Sequence, residues 1–222
     1  MTTLPTLGGD WCDAYAINSL GEVVGQSFSA THPYQGFIYS GGTMTNLGNL
    51  GADIETYAFG INDNHQVVGY SWNKKQTFLA FLYQKGKMRS LGTLGGEYSQ
   101  AQAINNAGQV TGYAALKGDS AVHAFLYSKA HKMVDIDTLG GANSFGLAIN
   151  SQGGVVGYRN LPAGYSAFIY QNGTMQDLNN LIPPNSGWTL GMAKGINDAG
   201  QISGWGTLNG QERGFLLTPT NP

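Results

Sequence analysis

The chain alternates short apolar runs with turn residues from one end to the other. Between residues 99 and 139 the runs are "SQAQAIN", "QVTGYAA", "HAFLYS" and "KMVDIDTL", with Gly, Asn, Asp or Ser clusters between them. Period-two alternation bounded by such residues reads as β-strand, and a turn signal between each pair makes the four runs an antiparallel sheet. The pattern then repeats. Aligned on Ile-Asn, five copies fall at Asn18, Asn62, Asn105, Asn150 and Asn197, spaced 44, 43, 45 and 47 residues apart. All-β repeats of ~40 to 45 residues with four strands each are the pattern of β-propeller blades. The expectation is an all-β fold, a five-bladed β-propeller with four antiparallel strands per blade, forming one domain over residues 1–222. The blades fall at approximately 10–50, 53–94, 97–139, 142–181, and 188–218 plus 2–7. The last blade is split because the chain opens on "TTLPTLGG", which reads as an orphan fourth strand, and its final copy stops after a third in "RGFLLTPTNP". Residues 2–6 are therefore expected to pair with 212–217 and close the ring.

Most recurring residues have a structural reason. Asn18-Ser-Leu-Gly21, Asn105-Asn-Ala-Gly108, Asn150-Ser-Gln-Gly153 and Asn197-Asp-Ala-Gly200 fit a type I turn followed by a left-handed residue, with the Asn side chain capping the turn. His65 stands in the Gly place of the second copy, at some strain. Small residues recur in the first strand, Ala14, Ala58, Ala101, Gly146 and Ala193 in one column and Ala16, Gly60, Ala103, Ala148 and Gly195 in another. Gly25, Gly69, Gly112, Gly157 and Gly204 recur in the second strand, where glycine marks a bulge or a close approach.

Composition agrees with sheet and tight turns: only 11% of residues are charged and 34 of 222 are Gly, against roughly 25% and ~7% in average soluble domains. Net charge is -2 with no basic run, so nothing in the sequence points to nucleic acid. No apolar stretch reaches the ~18 residues of a membrane span, so no membrane insertion is expected. Cys12 is the only cysteine, so no intramolecular disulfide forms, and it reads as a small buried apolar residue.

The stretch "LGTLGGEYSQAQAINNAGQVTGY" (residues 91–113), followed by "HAFLY" at His123–Tyr127, resembles the HAF-repeat family of bacterial proteins labelled probable extracellular. The likeness extends over essentially the whole chain through LGG, AIN, VVG and AFLY. The name-giving His occurs once, with Gln35, Leu79, Ser166 and Arg213 in the other copies. The resemblance implies a fold and a secreted or extracellular bacterial location, with the export signal missing from this sequence. It implies no reaction.

Enzymatic signatures are mostly absent: there is no GxSxG elbow, HExxH or P-loop. His32, His65, His123 and His131 lack partners at metal-ligand spacing and read as structural or solvated. Asp135 and Asp137 read as solvated charges on an outer strand. Asn172-Gly173 reads as a hairpin turn rather than a glycosylated sequon.

Function is sought in the loops where the copies differ. Blade-joining loops and second-to-third-strand loops share one face. There Trp11, Trp72, Tyr98 and Trp188 are the candidate ligand-binding residues, with Tyr34 and Tyr165 nearby. The segment "LIPPNSGW" departs most from the repeat. Asp10, Asp53 and Glu97, close to Asp13 and Glu55, are the candidate metal ligands, a set that suits Ca²⁺, although no cofactor is required. Lys194 stands in an inner strand, where the other copies have Tyr15, Phe59, Gln102 and Leu147, and is expected to pair with Asp13 across the fifth and first blades. The leading expectation is a monomeric, non-enzymatic binding module that takes a glycan or protein ligand on this face. The alternatives are a carbohydrate-active hydrolase using two of the five acids and a structural interaction scaffold.

Overall fold

The computed structural model describes residues 2–30, 32, 34–51, 54–140 and 143–220, and is almost wholly antiparallel sheet. The first sheet holds β1 (Gly8–Ile17), β2 (Val23–Ser29), β3 (Gln35–Ser40) and β4 (Thr43–Asn46). The second holds β5 (Thr56–Ile61), β6 (Val67–Trp72), β7 (Phe78–Gln84) and β8 (Lys87–Gly92). The third holds β9 (Gly95–Ile104), β10 (Val110–Leu116), β11 (Val122–Ser128) and β12 (Lys132–Asp135). The fourth holds β13 (Asn143–Ile149), β14 (Val155–Leu161), β15 (Gly164–Gln171) and β16 (Thr174–Asp177), and the fifth holds β17 (Trp188–Ile196), β18 (Ile202–Leu208) and β19 (Gln211–Leu217). In every sheet the strands lie side by side in chain order.

The Ile-Asn turns are built as the residue pattern implies. Gly108 N–H donates to the Asn105 carbonyl at 3.0 Å, and Asn105 Oδ1 accepts the Gln109 N–H at 3.0 Å. The closing residue is left-handed in all five copies, glycine in four and His65 (φ 57°) in the second. All five first strands then slip register at the small-residue columns, between Ala14 and Ala16, Ala58 and Gly60, Ala101 and Ala103, Gly146 and Ala148, and Ala193 and Gly195. In all five sheets the slip drives a first-strand carbonyl toward the second-strand glycine. A Cβ on Gly112 would lie 2.0 Å from the Gln100 oxygen, and one on Gly69 1.8 Å from that of Tyr57. Glycine is therefore required there by close approach.

From the first sheet to the fifth, each sheet packs a face on the next. Val24 and Leu47 meet Ala58, Val67 and Phe81; Val68, Leu82 and Leu91 meet Ala101, Val110 and Phe125. Ala124 and Ile136 meet Val155 and Phe168; Val156, Ile169 and Leu178 meet Ala193, Ile202 and Phe215. Phe81, Phe125 and Phe168 occupy equivalent places and are fully buried, at about 1.5–3 kcal/mol each. A polar latch runs beside this core: Asn18 Nδ2 donates to the Asn62 carbonyl, Asn62 to Asn105, Asn105 to Asn150, and Asn150 to Asn197. The five turns thereby surround one cavity of about 410 Å³.

Neither the core nor the latch continues from the fifth sheet to the first among the described residues. The fifth sheet has three strands, and residues 2–6 belong to none, so the expected ring closure by the N-terminal strand is corrected. Two features explain this. Aligned on the Thr-Leu-Gly-Gly that both share, Thr2–Pro5 match only Arg89–Gly92, the tail of a fourth strand, and Pro5 has no N–H to give a ladder. The segment instead makes the joint to the first sheet. Leu7 bridges Ser29 as Leu94 bridges Leu116, and Thr6 Oγ1 donates to the Gly9 carbonyl as Thr93 Oγ1 does to Gly96. Leu216 on the fifth sheet and Ile17 on the first are consequently each 67% exposed.

Candidate functional site

Antiparallel order puts the second-to-third-strand loops and the sheet-joining loops at one end of the strands. That end carries a continuous set of aromatic rings. Trp11 contacts Phe28 and Tyr34, with ring centroids 5.3 and 6.2 Å away, and Tyr34 stacks on Tyr57 at 5.5 Å. Tyr57 stacks on Tyr70 at 4.6 Å, Tyr70 meets Phe78 at 5.2 Å, and Phe78 touches both Trp72 (5.6 Å) and Tyr98 (5.2 Å). Tyr15 joins through Phe59, which in turn contacts Tyr57 and Tyr70. The set crosses the first three sheets because alternate residues of β1, β2, β5 and β6 point the same way. Trp11 (38% exposed) and Tyr15 (40%) show much of their surface to solvent.

The inner rings are drier. Burial pushes the Tyr70 phenol up to about 12, and burial beside Tyr70 and the Glu55 carboxylate pushes Tyr57 higher still. These hydroxyls therefore remain neutral donors at any physiological pH. Tyr57 Oη donates to Glu55 Oε2 at 3.1 Å. Beside the rings lies a cleft of about 530 Å³ lined by Asn73, Lys75, Thr77 and Glu97. The Trp72 indole N–H is buried and has no acceptor among the described residues.

Of the residues singled out by sequence, Trp11, Trp72 and Tyr98 join this set. Trp188 does not: it packs edge-on against Phe215, beside the core of the fourth and fifth sheets. Tyr15, Phe28, Tyr57, Phe59, Tyr70 and Phe78, with Tyr34, complete the set, and the strand aromatics among them were missed because they read as packing. Tyr165 belongs to a second group, in which Tyr113, Phe145, Tyr158, Tyr165 and Trp205 follow one another at 4.8 to 6.1 Å.

The acids are dispersed. Asp10, Asp13 and Glu97 are exposed, and Glu55 is half-buried against Tyr57. Asp53 lies outside the described residues. Among those described, no three His, Cys, Asp or Glu side chains gather as a metal-holding group. Lys194 and Asp13 are both exposed and form no ion pair, because the faces that were to bring them together stay apart.

Asp135 and Asp137 are not the solvated pair expected. The Asp137 side chain is fully buried, 3.7 Å from Arg159 Nε, and accepts the N–H groups of Leu139 and Gly140; Arg159 also donates to the Gly140 carbonyl. Asp135 Oδ2 lies 2.7 Å from Nδ1 of the buried His123. β12 ends at Asp135, so the strand alternation does not extend to Asp137. Cys12 is half-buried, and Asn172-Gly173 forms the expected left-handed hairpin turn between β15 and β16.

A comparison with curated proteins found no match. Among solved structures the chain is similar to Pyrococcus horikoshii acylaminoacyl peptidase in its orthorhombic crystal form, at 14% identity and a TM-score of 0.51. The match covers 89% of this chain and 32% of that one, so the chain spans about a third of that protein's length. A likeness at this identity bears on fold alone. A family model matches residues 43–216, well over half of the chain. The chain belongs to the family described as "Protein of unknown function (DUF3466)".

Proposed function

We propose that the chain is a five-bladed β-propeller, open between its fifth and first blades, that acts as a non-enzymatic binding module and takes a glycan on its aromatic face. The propeller reading is supported by four successive face-to-face sheet contacts and by one cavity lined by all five Ile-Asn turns.

The ligand reading rests on the unbroken set of rings from Trp11 to Tyr98. Rings with an apolar face and a polar edge suit pyranose rings, whose C–H faces stack while their hydroxyls reach neighbouring polar groups. The adjoining cleft supplies those groups in Asn73, Thr77 and Glu97. Because the rings also hold one another, ligand binding orders few side chains and entropy opposes it little.

The test is a neutral glycan array, followed by titration monitored through tryptophan fluorescence. The Trp11→Ala, Tyr98→Ala variant is expected to bind the best glycan at least about tenfold more weakly, a loss of roughly 1.4 kcal/mol. An array without hits, or an unchanged affinity in the variant, would remove this reading.

A further inference from the structure

The other end of the strands carries a second feature. A groove of about 740 Å³ lies there between the second and third sheets, among the first-to-second-strand turns and the ends of the third-to-fourth-strand hairpins. Arg89, Lys129 and Lys132 line it, and none of the three is in an ion pair among the described residues. Lys85 and Lys87 stand at the same hairpin of the second sheet. Three of the chain's eleven Lys and Arg residues therefore line one groove and two more stand in the hairpin that borders it, although no basic run exists in the sequence.

The other copies have nothing comparable. Arg89 faces Leu82 across its hairpin, where Thr45, Val134 and Gln176 stand in the first, third and fourth sheets. The left-handed position taken by Gly41 and Asn172 is Lys85 (φ 52°) in the second sheet, and Lys132 (φ 60°) is left-handed in the third. Lysine accepts a conformation there that Gly or Asn takes more easily, and departures of this kind concentrate at working sites.

The groove also has the polar groups of a recognition site. Arg89 Nη1 donates to Tyr127 Oη at 2.8 Å, and the guanidinium carbon lies 5.6 Å from the Tyr127 ring centre, which fixes the fork while its other nitrogens have no partner among the described residues. Gln84 makes no side-chain hydrogen bond among the described residues, so its amide offers both a donor and an acceptor. The carboxylate lining the groove, Asp63, is already engaged on both oxygens, by the Ser19 N–H and by Asn106 Nδ2. It is a weak competitor for the cations.

We propose that this groove binds an acidic sugar, a uronic-acid unit of a polysaccharide, with Arg89 clasping the carboxylate, Lys129 and Lys132 flanking it, and Gln84 bonding ring hydroxyls. Carboxylate and vicinal hydroxyls on one ring match a planar cationic fork beside an uncommitted amide. The site uses neither the face nor the residues of the glycan reading above, and each stands or falls separately.

The experiment is calorimetric titration of the full chain at low salt with oligogalacturonate, with maltohexaose, inorganic phosphate and a thymidine oligonucleotide as comparison probes. Arg89→Gln and Lys129→Gln/Lys132→Gln, all at exposed positions, are expected to melt as the parent does and to weaken oligogalacturonate binding about tenfold or more. Gln84→Ala is expected to weaken oligogalacturonate while leaving phosphate unaffected. Absence of oligogalacturonate binding, or equal binding by the cation variants, would overturn the proposal. So would phosphate or oligonucleotide binding as tight and as dependent on Arg89, since that would make the groove a general anion patch.

Discussion

Asn62 uses both ends of its amide at once. Its Oδ1 accepts the Gln66 N–H at 3.0 Å within its own turn, while Nδ2 donates to Gln66 Oε1 at 2.8 Å and to the Asn105 carbonyl of the next sheet at 2.9 Å. No shorter polar chain reaches so far, and no aspartate could donate. In the first copy the Gln place is taken by Glu22, which is buried and accepts from Asn18 Nδ2 at 2.7 Å, from His65 Nδ1 at 2.8 Å and from Ser40 at 3.2 Å. Burial opposes its charge, but these three hydrogen bonds outweigh burial and hold the carboxyl below its ordinary value of 4.5. Protonation therefore favours the unfolded chain. The contribution is complete above about pH 4.5 and disappears as pH falls through the folded-state value. Thermal melts of the parent are expected to lose stability more steeply below pH 4.5 than melts of Glu22→Gln, which restores the residue of the second, third and fifth copies. Parallel curves would show that Glu22 carries none of this acid sensitivity.

At the scale of strands and turns, the slipped first strand and its glycine are one device. The carbonyl of Gln100 bends toward β10 and occupies the space of a side chain at Gly112. Gly112→Ala is therefore expected to cost about 3 kcal/mol, at the upper end of overpacking losses, because rigid backbone meets the added carbon. Gly108→Ala, left-handed in its turn but open to a shifting Gln66 side chain, is expected to cost nearer 1 kcal/mol. Urea unfolding of both variants measures the difference, and equal losses would show that the β9 backbone yields to the added carbon and that contact does not set the Gly112 requirement. These elements were legible in the sequence because period-two alternation and glycine columns recur in all five copies and Asn-x-x-Gly turns in four. Asp137 was not: its burial depends on Arg159, a partner in the next sheet. The aromatic face was half legible, since loop rings such as Trp11 and Tyr98 stand out while Tyr57 and Phe78 look like core. The basic groove escaped notice because Arg89 and Lys129 are brought together only by packing of neighbouring sheets.

For the whole molecule, the order of sheets decides where stability lies. The second, third and fourth sheets are covered on both faces, so opening any strand in them breaks two sets of contacts. The first and fifth are covered on one. Among the described residues no strand pairs with the outer edge of β19, and the exposed Leu216 lies on that strand. Stability in stacked repeats is approximately a sum of unit and neighbour terms, so fluctuations should enter from the two free faces. Native-state hydrogen exchange is expected to give the largest protection in β6, β7, β10 and β11 and the smallest in β1 and β19, graded inward from the seam. For the same reason, removal of residues 2–5, which belong to no strand, is expected to leave the melting temperature within about 1 °C of the parent, as for other unpaired terminal segments. Uniform protection around the five sheets, or a large loss on truncation, would mean that the seam is closed in solution and that Thr2–Pro5 help to close it.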